Sequence, residues 1–106
     1  MFLLLSTVSV SLAANVFVFD DTDPDTPLLV ETLEDLGHTV ELSSSLPGLG
    51  FTEWEFDDGD YDFSDTDVVV WLDGNTAAVS EMPLSGQDAL IAYVEGGGGI
   101  VSFGQN

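Results

Sequence analysis

Four short apolar runs along the chain predict four β-strands. They lie at residues 15–21 (NVFVFDD), 38–43 (HTVELS), 67–74 (DVVVWLDG) and 99–103 (GIVSF). Continuous apolar runs such as 15–21 and 67–74 are typical of strands that are buried on both faces of a parallel sheet, whereas 38–43 alternates polar and apolar positions.

The segment between the first two runs predicts a helix. Leu29, Leu33 and Leu36 recur at the spacing of one helix face. Thr26 suits the N-cap position and Gly37 suits the position just after the last turn, so we expect the helix to lie between them.

A second helix is predicted before the last run. Residues 85–88 (SGQD) resemble a capping box with Asp in place of the usual Glu, and Leu90, Ile91 and Val94 form the expected core stripe. Residues 44–66 have no clean period, and we interpret them as a long loop with one short helical turn. The aromatic side chains of that loop are predicted to cover the core.

The order β-α-β-loop-β-α-β indicates an α/β fold. Apolar strands that alternate with helices predict a parallel sheet with right-handed crossovers. We therefore predict a three-layer flavodoxin-like domain over residues 14–106 with strand order 2-1-3-4. That fold normally has a fifth strand, so the domain is expected to be truncated before strand 5 and to leave an open sheet edge.

The first thirteen residues predict a signal peptide. MFLLLSTVSVSLA is an apolar run that ends in the small-x-small pattern Ser11-Leu12-Ala13. No Lys or Arg precedes the run, and the alternative is a first buried strand. The export signal predicts a secreted, periplasmic or cell-surface protein.

Charge changes the list of expected partners. The chain has 20 acidic residues, no Lys, no Arg and no Cys, and all its acidic residues lie between Asp20 and Glu95. Nucleic acid and anionic membrane surfaces bind proteins through Lys and Arg, so neither is expected as a partner, whereas cations are. Repulsion among the carboxylates should weaken as added salt shortens the screening length, so the fold should be more stable at high salt. Such behaviour is typical of an acidic, halophilic protein.

The predicted strand ends bring candidate ligand-binding residues to one edge of the sheet. Ligands of such sheets bind beyond the carboxyl ends of the strands, where Ser43 to Ser45 also lie. The predicted ligand-binding residues are Asp20, Asp21, Asp73, Asn75, Ser102 and Gly104.

Three of these residues are candidate metal ligands. Asp20, Asp21 and Asp73 could hold Ca²⁺ or Mg²⁺ through carboxylate oxygens, as the only cofactor that the sequence suggests. The alternative is that these acids cap turns. His38, at the amino end of the second strand, is expected to be a surface or capping residue.

Three stretches carry a resemblance to a known family. FDDTDPDTPLLVETLEDLGHTVEL, YDFSDTDVVVWLDGN and GQDALIAYVEGGGGIVSFG resemble the N-terminal two-thirds of a class I glutamine amidotransferase-like domain, in its trehalose-utilisation (ThuA-like) branch. The resemblance implies a flavodoxin-like fold. It also implies that residues 102–105 (SFGQ) match the Cys-x-Gly-His nucleophile elbow of catalytic members. Ser102 stands where the thiol would be, so amidotransferase activity is not expected.

These observations predict a non-catalytic binding or accessory module of an exported acidic protein, joined to the rest of a larger extracellular chain. One alternative is a fragment of a hydrolase or carbohydrate-active ThuA-like enzyme whose remaining groups lie beyond Asn106. Others are a Ca²⁺- or Mg²⁺-binding surface module and a receiver-like domain, which Asp20, Asp21, Asp73 and Ser102 also resemble.

Overall fold

A parallel sheet of four strands lies at the centre of the fold. The computed structural model describes residues 13–20, 26–46, 55–57, 59–72 and 82–103. The strands are β1 (Asn15–Phe19), β2 (Thr39–Leu42), β3 (Val68–Leu72) and β4 (Gly99–Phe103). Their order is β2-β1-β3-β4 and every pairing is parallel, which confirms the predicted α/β fold with flavodoxin-like topology.

Two helices cover opposite faces of this sheet. Helix α1 (Thr26–Asp35) connects β1 to β2, and α2 (Leu84–Glu95) connects β3 to β4. Leu29 and Leu33 of α1 pack against one face, and Leu90 of α2 packs against the other. Neither of these described helices is long and apolar enough to cross a membrane.

The central strand β1 is buried on both faces, as its continuous apolar run predicts. Phe17 and Phe19 face the α2 layer, and Val16 and Val18 face the α1 layer. All four side chains are at most 6 % exposed. At about 25 cal/mol per Å² of buried apolar surface, β1 contributes more to the core than either edge strand, because it has a neighbouring strand on each side and a core layer on each face, as β3 also does.

Aromatic side chains build the core layer under α2. Phe56 and Phe63, from the connection between β2 and β3, pack edge-to-face against each other and against β1. Ring centroids 5.4 Å apart join Phe19 to Phe56 and Phe17 to Phe63, a spacing favoured by the ring quadrupoles. The predicted core-covering role of Phe56 and Phe63 is confirmed, and the short turns of the connection are 3-10 helices at Ser43–Ser45 and Phe63–Asp65.

Both helices end in a glycine with positive φ. Gly37 has φ 94° and Gly97 has φ 104°. In each case the next amide N–H donates to a carbonyl five residues earlier, His38 to Leu33 and Gly98 to Tyr93, as in a Schellman motif. The predicted end of the first helix at Gly37 is therefore confirmed.

The predicted helix starts are wrong in detail. Helix α2 begins at Leu84 after Pro83, and the Ser85 hydroxyl donates to the Asp57 carboxylate instead of capping α2. The hydroxyl of Thr26 has no hydrogen-bond partner, so it does not cap α1.

The predicted core stripes are too wide. Leu36 is 68 % exposed because it follows the last turn of α1, whereas Leu29 and Leu33 pack as expected. On α2, Leu90 is buried, but Ile91 and Val94 are 54 % and 45 % exposed. They lie on a flank of the helix that no described element covers.

We expect Gly86→Ala to destabilise the fold, because α2 approaches the connection closely there. A Cβ at residue 86 would lie 2.2 Å from the Phe56 carbonyl oxygen. The clash should lower the free energy of unfolding by about 1–3 kcal/mol in urea titration. Gly96→Ala is the control, because φ is −78° there and the nearest atom would be 3.4 Å away. A neutral Gly86→Ala would show that α2 does not pack this closely on Phe56.

We expect the stability of the protein to fall above about pH 10. Burial raises the pKa of Tyr61, and its hydrogen bond to Glu41 (2.5 Å) adds to the increase; burial also raises the pKa of Tyr93. The unfolded chain therefore loses these protons first, at about pH 10, and stability decreases from there until the folded tyrosines ionise.

The test is urea titration between pH 9 and pH 11 at constant ionic strength. The chain has no Lys, Arg or Cys and only two Tyr, so few other groups titrate in this range. The double variant Tyr61→Phe, Tyr93→Phe should have a nearly flat profile there. A wild-type profile as flat as that of the double variant would contradict the prediction.

Candidate functional site

Asp20 is a buried carboxylate at the carboxyl end of β1. It is 6 % exposed. Its Oδ1 accepts hydrogen bonds from the Ser43 hydroxyl and from the Ser44 backbone N–H, both at 2.9 Å, and its Oδ2 accepts from the Ser44 hydroxyl. The predicted convergence of Asp20 with Ser43 to Ser45 is thus present, and these bonds tie the end of β1 to the end of β2.

This bonding limits what Asp20 can offer to a metal ion. Three donors already occupy its oxygens, so a cation would have to displace a serine or use the remaining capacity of Oδ2. Among the described residues, no three His, Asp or Glu side chains are placed to hold a metal ion. Asp21, Asp73, Asn75 and Gly104 lie outside the described residues, so the three-carboxylate site stays a prediction.

Ser102 and His38 lie far apart in the sheet. Ser102 is exposed within β4, opposite Trp71 of β3. His38 precedes β2 at the amino end of the sheet, where its Nδ1 accepts a hydrogen bond from the Ala14 N–H at 3.0 Å. The strands β2 and β4 are three spacings apart, roughly 14 Å at about 4.8 Å per spacing. The imidazole therefore accepts a hydrogen bond from the backbone just before β1 and is not placed to activate Ser102.

A groove runs between α1 and the carboxyl ends of β1 and β2. Its volume is about 650 Å³. It is lined by Asp20, Thr26, Pro27, Val30, Glu31, Glu34, Asp35 and Leu42. The α1 residues among these follow the i, i+3, i+4, i+7 spacing of one helix face, so the groove extends along the helix.

The Thr26 hydroxyl is the one buried polar side-chain atom in the described residues that has no hydrogen-bond partner. Thr26 is 5 % exposed and lines the amino end of the groove. Leaving a hydroxyl buried without a partner costs about 1–3 kcal/mol, so such groups usually have a function or a missing partner. The sequence suggested a cap at Thr26, and nothing in the local pattern distinguishes a capping threonine from this one.

The groove is negatively charged along one side and apolar at its base. Glu31, Glu34 and Asp35 are exposed on α1, whereas Val30 and Leu42 are half-buried. No lysine or arginine can neutralise these carboxylates, because the chain has neither. A ligand that brings positive charge would therefore be attracted, and phosphate or another anion would be repelled.

Asp58, Asp60 and Asp62 follow the D-x-D-x-D spacing of a calcium-binding loop, but the two that the structure describes, Asp60 and Asp62, each close a turn. Asp60 Oδ2 accepts from the Asp57 N–H at 2.8 Å, and Asp62 Oδ1 accepts from the Ser64 N–H at 2.9 Å. Each carboxylate closes its own turn, as the alternative of turn-capping acids predicts.

Comparison with protein-family models, with curated proteins and with solved structures finds no match to this chain. What is shown is the architecture, a parallel α/β sheet of order 2-1-3-4. The amidotransferase-like resemblance therefore remains a proposal.

We expect Asp20 to stabilise the fold mainly as a hydrogen-bond acceptor. Asp20→Ala should lower the free energy of unfolding by about 1–3 kcal/mol, because the Ser43 hydroxyl and the Ser44 N–H lose their acceptor. Asp88→Ala removes an exposed carboxylate from α2 and should be neutral or slightly stabilising.

The same residue separates the structural role from metal binding. At constant ionic strength, the melting temperature in CaCl₂ should differ from the melting temperature in NaCl, and this difference should be the same for Asp20→Asn as for the wild type. A calcium-specific shift that is lost only in Asp20→Asn would instead identify Asp20 as a metal ligand.

Proposed function

We propose that the chain is a non-catalytic binding module whose groove between α1 and β2 receives a small organic cation. The observation that carries this proposal is Thr26, which lines the groove and whose buried hydroxyl has no hydrogen-bond partner. A ligand that reaches it would gain a hydrogen bond that the free protein cannot make. The free-energy cost of the unpartnered hydroxyl is what ligand binding would remove.

The lining favours one class of ligand. Glu31, Glu34 and Asp35 attract an ammonium or amidinium group, while Val30 and Leu42 favour an apolar body. A metal ion would leave the apolar base of the groove unused, and an anion would meet only carboxylates. An alkylammonium ion with a hydrogen-bonding group at its other end fits the carboxylates, the apolar base and the Thr26 hydroxyl.

The placement of Ser102 and His38 supports the non-catalytic part of the proposal. A serine needs a base within hydrogen-bond reach to act as a nucleophile, and the sole imidazole of the chain is bonded to Ala14 on the other side of the sheet. We propose that the module has the amidotransferase-like fold of the ThuA-like branch, which the strand order and the glycine turn after α2 support.

The cellular setting belongs to the same proposal. The apolar start of the chain and its acidic composition support an exported, halophilic protein, in which the module is joined to further extracellular domains. A fragment of a ThuA-like hydrolase is the competing function. It would require a base near Ser102, and His38, which lies at the opposite edge of the described sheet, is not placed to be that base.

Replacing Thr26 with valine should have opposite effects on folding and on binding. Valine keeps the shape of threonine and removes the unpartnered hydroxyl, so Thr26→Val should raise the free energy of unfolding by about 1 kcal/mol. Binding of ethanolamine, measured by calorimetry at constant ionic strength, should become about tenfold weaker, as expected for one lost hydrogen bond. Thr32→Val is the control, because Thr32 is exposed and its hydroxyl bonds the Leu28 carbonyl on the same helix.

A matched pair of variants tests the charged side of the groove. Glu34→Gln should weaken alkylammonium binding, whereas Glu95→Gln, which removes one exposed carboxylate from α2, should not. Affinity should rise from methylammonium to hexylammonium as apolar surface is buried. Equal weakening by both substitutions would indicate only a diffuse cation atmosphere and would refute the groove as a site.

A further inference from the structure

The groove between α1 and the carboxyl ends of β1 and β2 carries acidic side chains at two levels along its length. Asp20 follows β1 and Thr26 starts α1, and both line the groove at the carboxyl edge of the sheet, the Thr26 end. The N–H of His38 donates to the Leu33 carbonyl, so the last turn of α1 lies at the amino end of β2. Glu34 lines the groove near that turn, at the Glu34 end.

An apolar base connects these two ends of the groove. Thr26, Val30 and Glu34 follow one another at i, i+4 and i+8 on α1, in one row of the helix surface. At about 1.5 Å per residue, Glu34 lies roughly 12 Å from Thr26 along the helix axis. Val30 and Leu42 are half-buried and form the base. A ligand that contacts both ends must therefore be elongated and apolar in its middle.

Asp20 brings a negative charge to the Thr26 end that no positive group of the described fold balances. It is 6 % exposed, and the hydroxyls of Ser43 and Ser44 and the Ser44 N–H, all neutral, donate to it. The chain has no Lys or Arg, and His38 lies at the opposite end of the sheet. Buried charges in proteins are usually paired with an opposite charge, so a cationic group would suit this end of the groove.

Thr26 adds an unsatisfied acceptor at the same end. It is 5 % exposed, and its hydroxyl has no hydrogen-bond partner. A primary ammonium group has three N–H donors, which the Thr26 hydroxyl and Asp20 Oδ2 could both accept. A hydroxyl group on the ligand could bond Thr26 as well, but it would bring no charge to Asp20.

We propose that the groove binds a linear dication, an α,ω-diamine whose second ammonium group lies at Asp20 and Thr26. This inference rests on the proposed function, to which it adds the second charge and the length of the ligand. The first ammonium group lies at Glu34, and the methylene chain covers Val30 and Leu42. An extended chain advances about 1.3 Å per bond, so about eight methylenes span the roughly 12 Å between the two ends. The groove volume of about 650 Å³ is within the usual range for small-molecule sites.

Two pairs of compounds test the second charge and the length together. Calorimetry at pH 7 and constant ionic strength compares 1,8-octanediamine with 8-amino-1-octanol, and 1,4-butanediamine with 4-amino-1-butanol. Octanediamine should bind at least about tenfold more tightly than its amino alcohol, because only the diamine places a charge at Asp20. Butanediamine should bind about as tightly as its amino alcohol, because its chain is too short to contact both ends.

The outcomes separate this inference from the proposed function. If 8-amino-1-octanol binds as tightly as octanediamine, the dication is overturned and the proposed function stands. If none of the four compounds binds, both are overturned. An advantage of the diamine that is as large for the butane pair as for the octane pair would indicate diffuse attraction, because closely spaced charges are attracted at least as strongly, and would overturn the two-ended site.

A matched pair of variants locates the second ammonium group. Asp20→Asn removes the charge and keeps an acceptor oxygen for the Ser43 hydroxyl, so the tenfold ratio for the octane pair should fall to about one. Asp88→Asn, which removes an exposed carboxylate from α2, should keep the ratio. Circular dichroism checks that each variant is folded, and the length series on the wild type decides the matter if Asp20→Asn is not. An unchanged ratio in folded Asp20→Asn would overturn the proposal.

Discussion

Carboxylates that have no basic side chain to pair with are the constraint on which the structure depends. With no Lys or Arg in the chain, the acids that the described fold holds by hydrogen bonds, buried Asp20 and several exposed ones, are bonded by neutral donors. Hydroxyls of serine and tyrosine serve Asp20, Asp57 and Glu41, and backbone N–H groups serve Asp60, Asp62 and Asp67. The bonds of Asp20 join β1 to β2. The bond of Asp57 joins the β2–β3 connection to α2, and the bond of Glu41 joins the same connection to β2. Acidic side chains thus connect elements of this fold through hydrogen bonds, without any Lys or Arg ion pair.

Much of the architecture could be predicted from the sequence, because it depends on local patterns. The continuous apolar runs identify β1 and β3 as buried strands, and Gly37 marks the end of α1 because only glycine adopts positive φ there without strain. The errors in the predicted core stripes have one origin. The exposure of Leu36, Ile91 and Val94 is decided by which neighbouring elements cover each helix, and helix periodicity carries no information about neighbours.

The candidate site was only partly predictable for a similar reason. Topology alone brings Asp20 and the serines after β2 to one edge of the sheet, and that placement is confirmed. The groove itself was missed, because a threonine before a proline at a helix start has the sequence of an ordinary cap. Whether its hydroxyl caps the helix is decided by tertiary contacts, and a local sequence pattern carries no information about those.

The contacts between Asn15 and Asp67 have a consequence for how the chain folds. The sheet consists of two βαβ units, β1-α1-β2 and β3-α2-β4, and among the described strands the two units meet only where β1 pairs with β3. Asn15 and Asp67, 52 residues apart, fasten this seam through two backbone-linked hydrogen bonds at its amino end. Contacts within each unit span fewer residues than the seam does, and loop closure makes long-range pairing slow. Each unit should therefore form early and the seam last, so that a substitution at Asp67 would change the unfolding rate more than the folding rate.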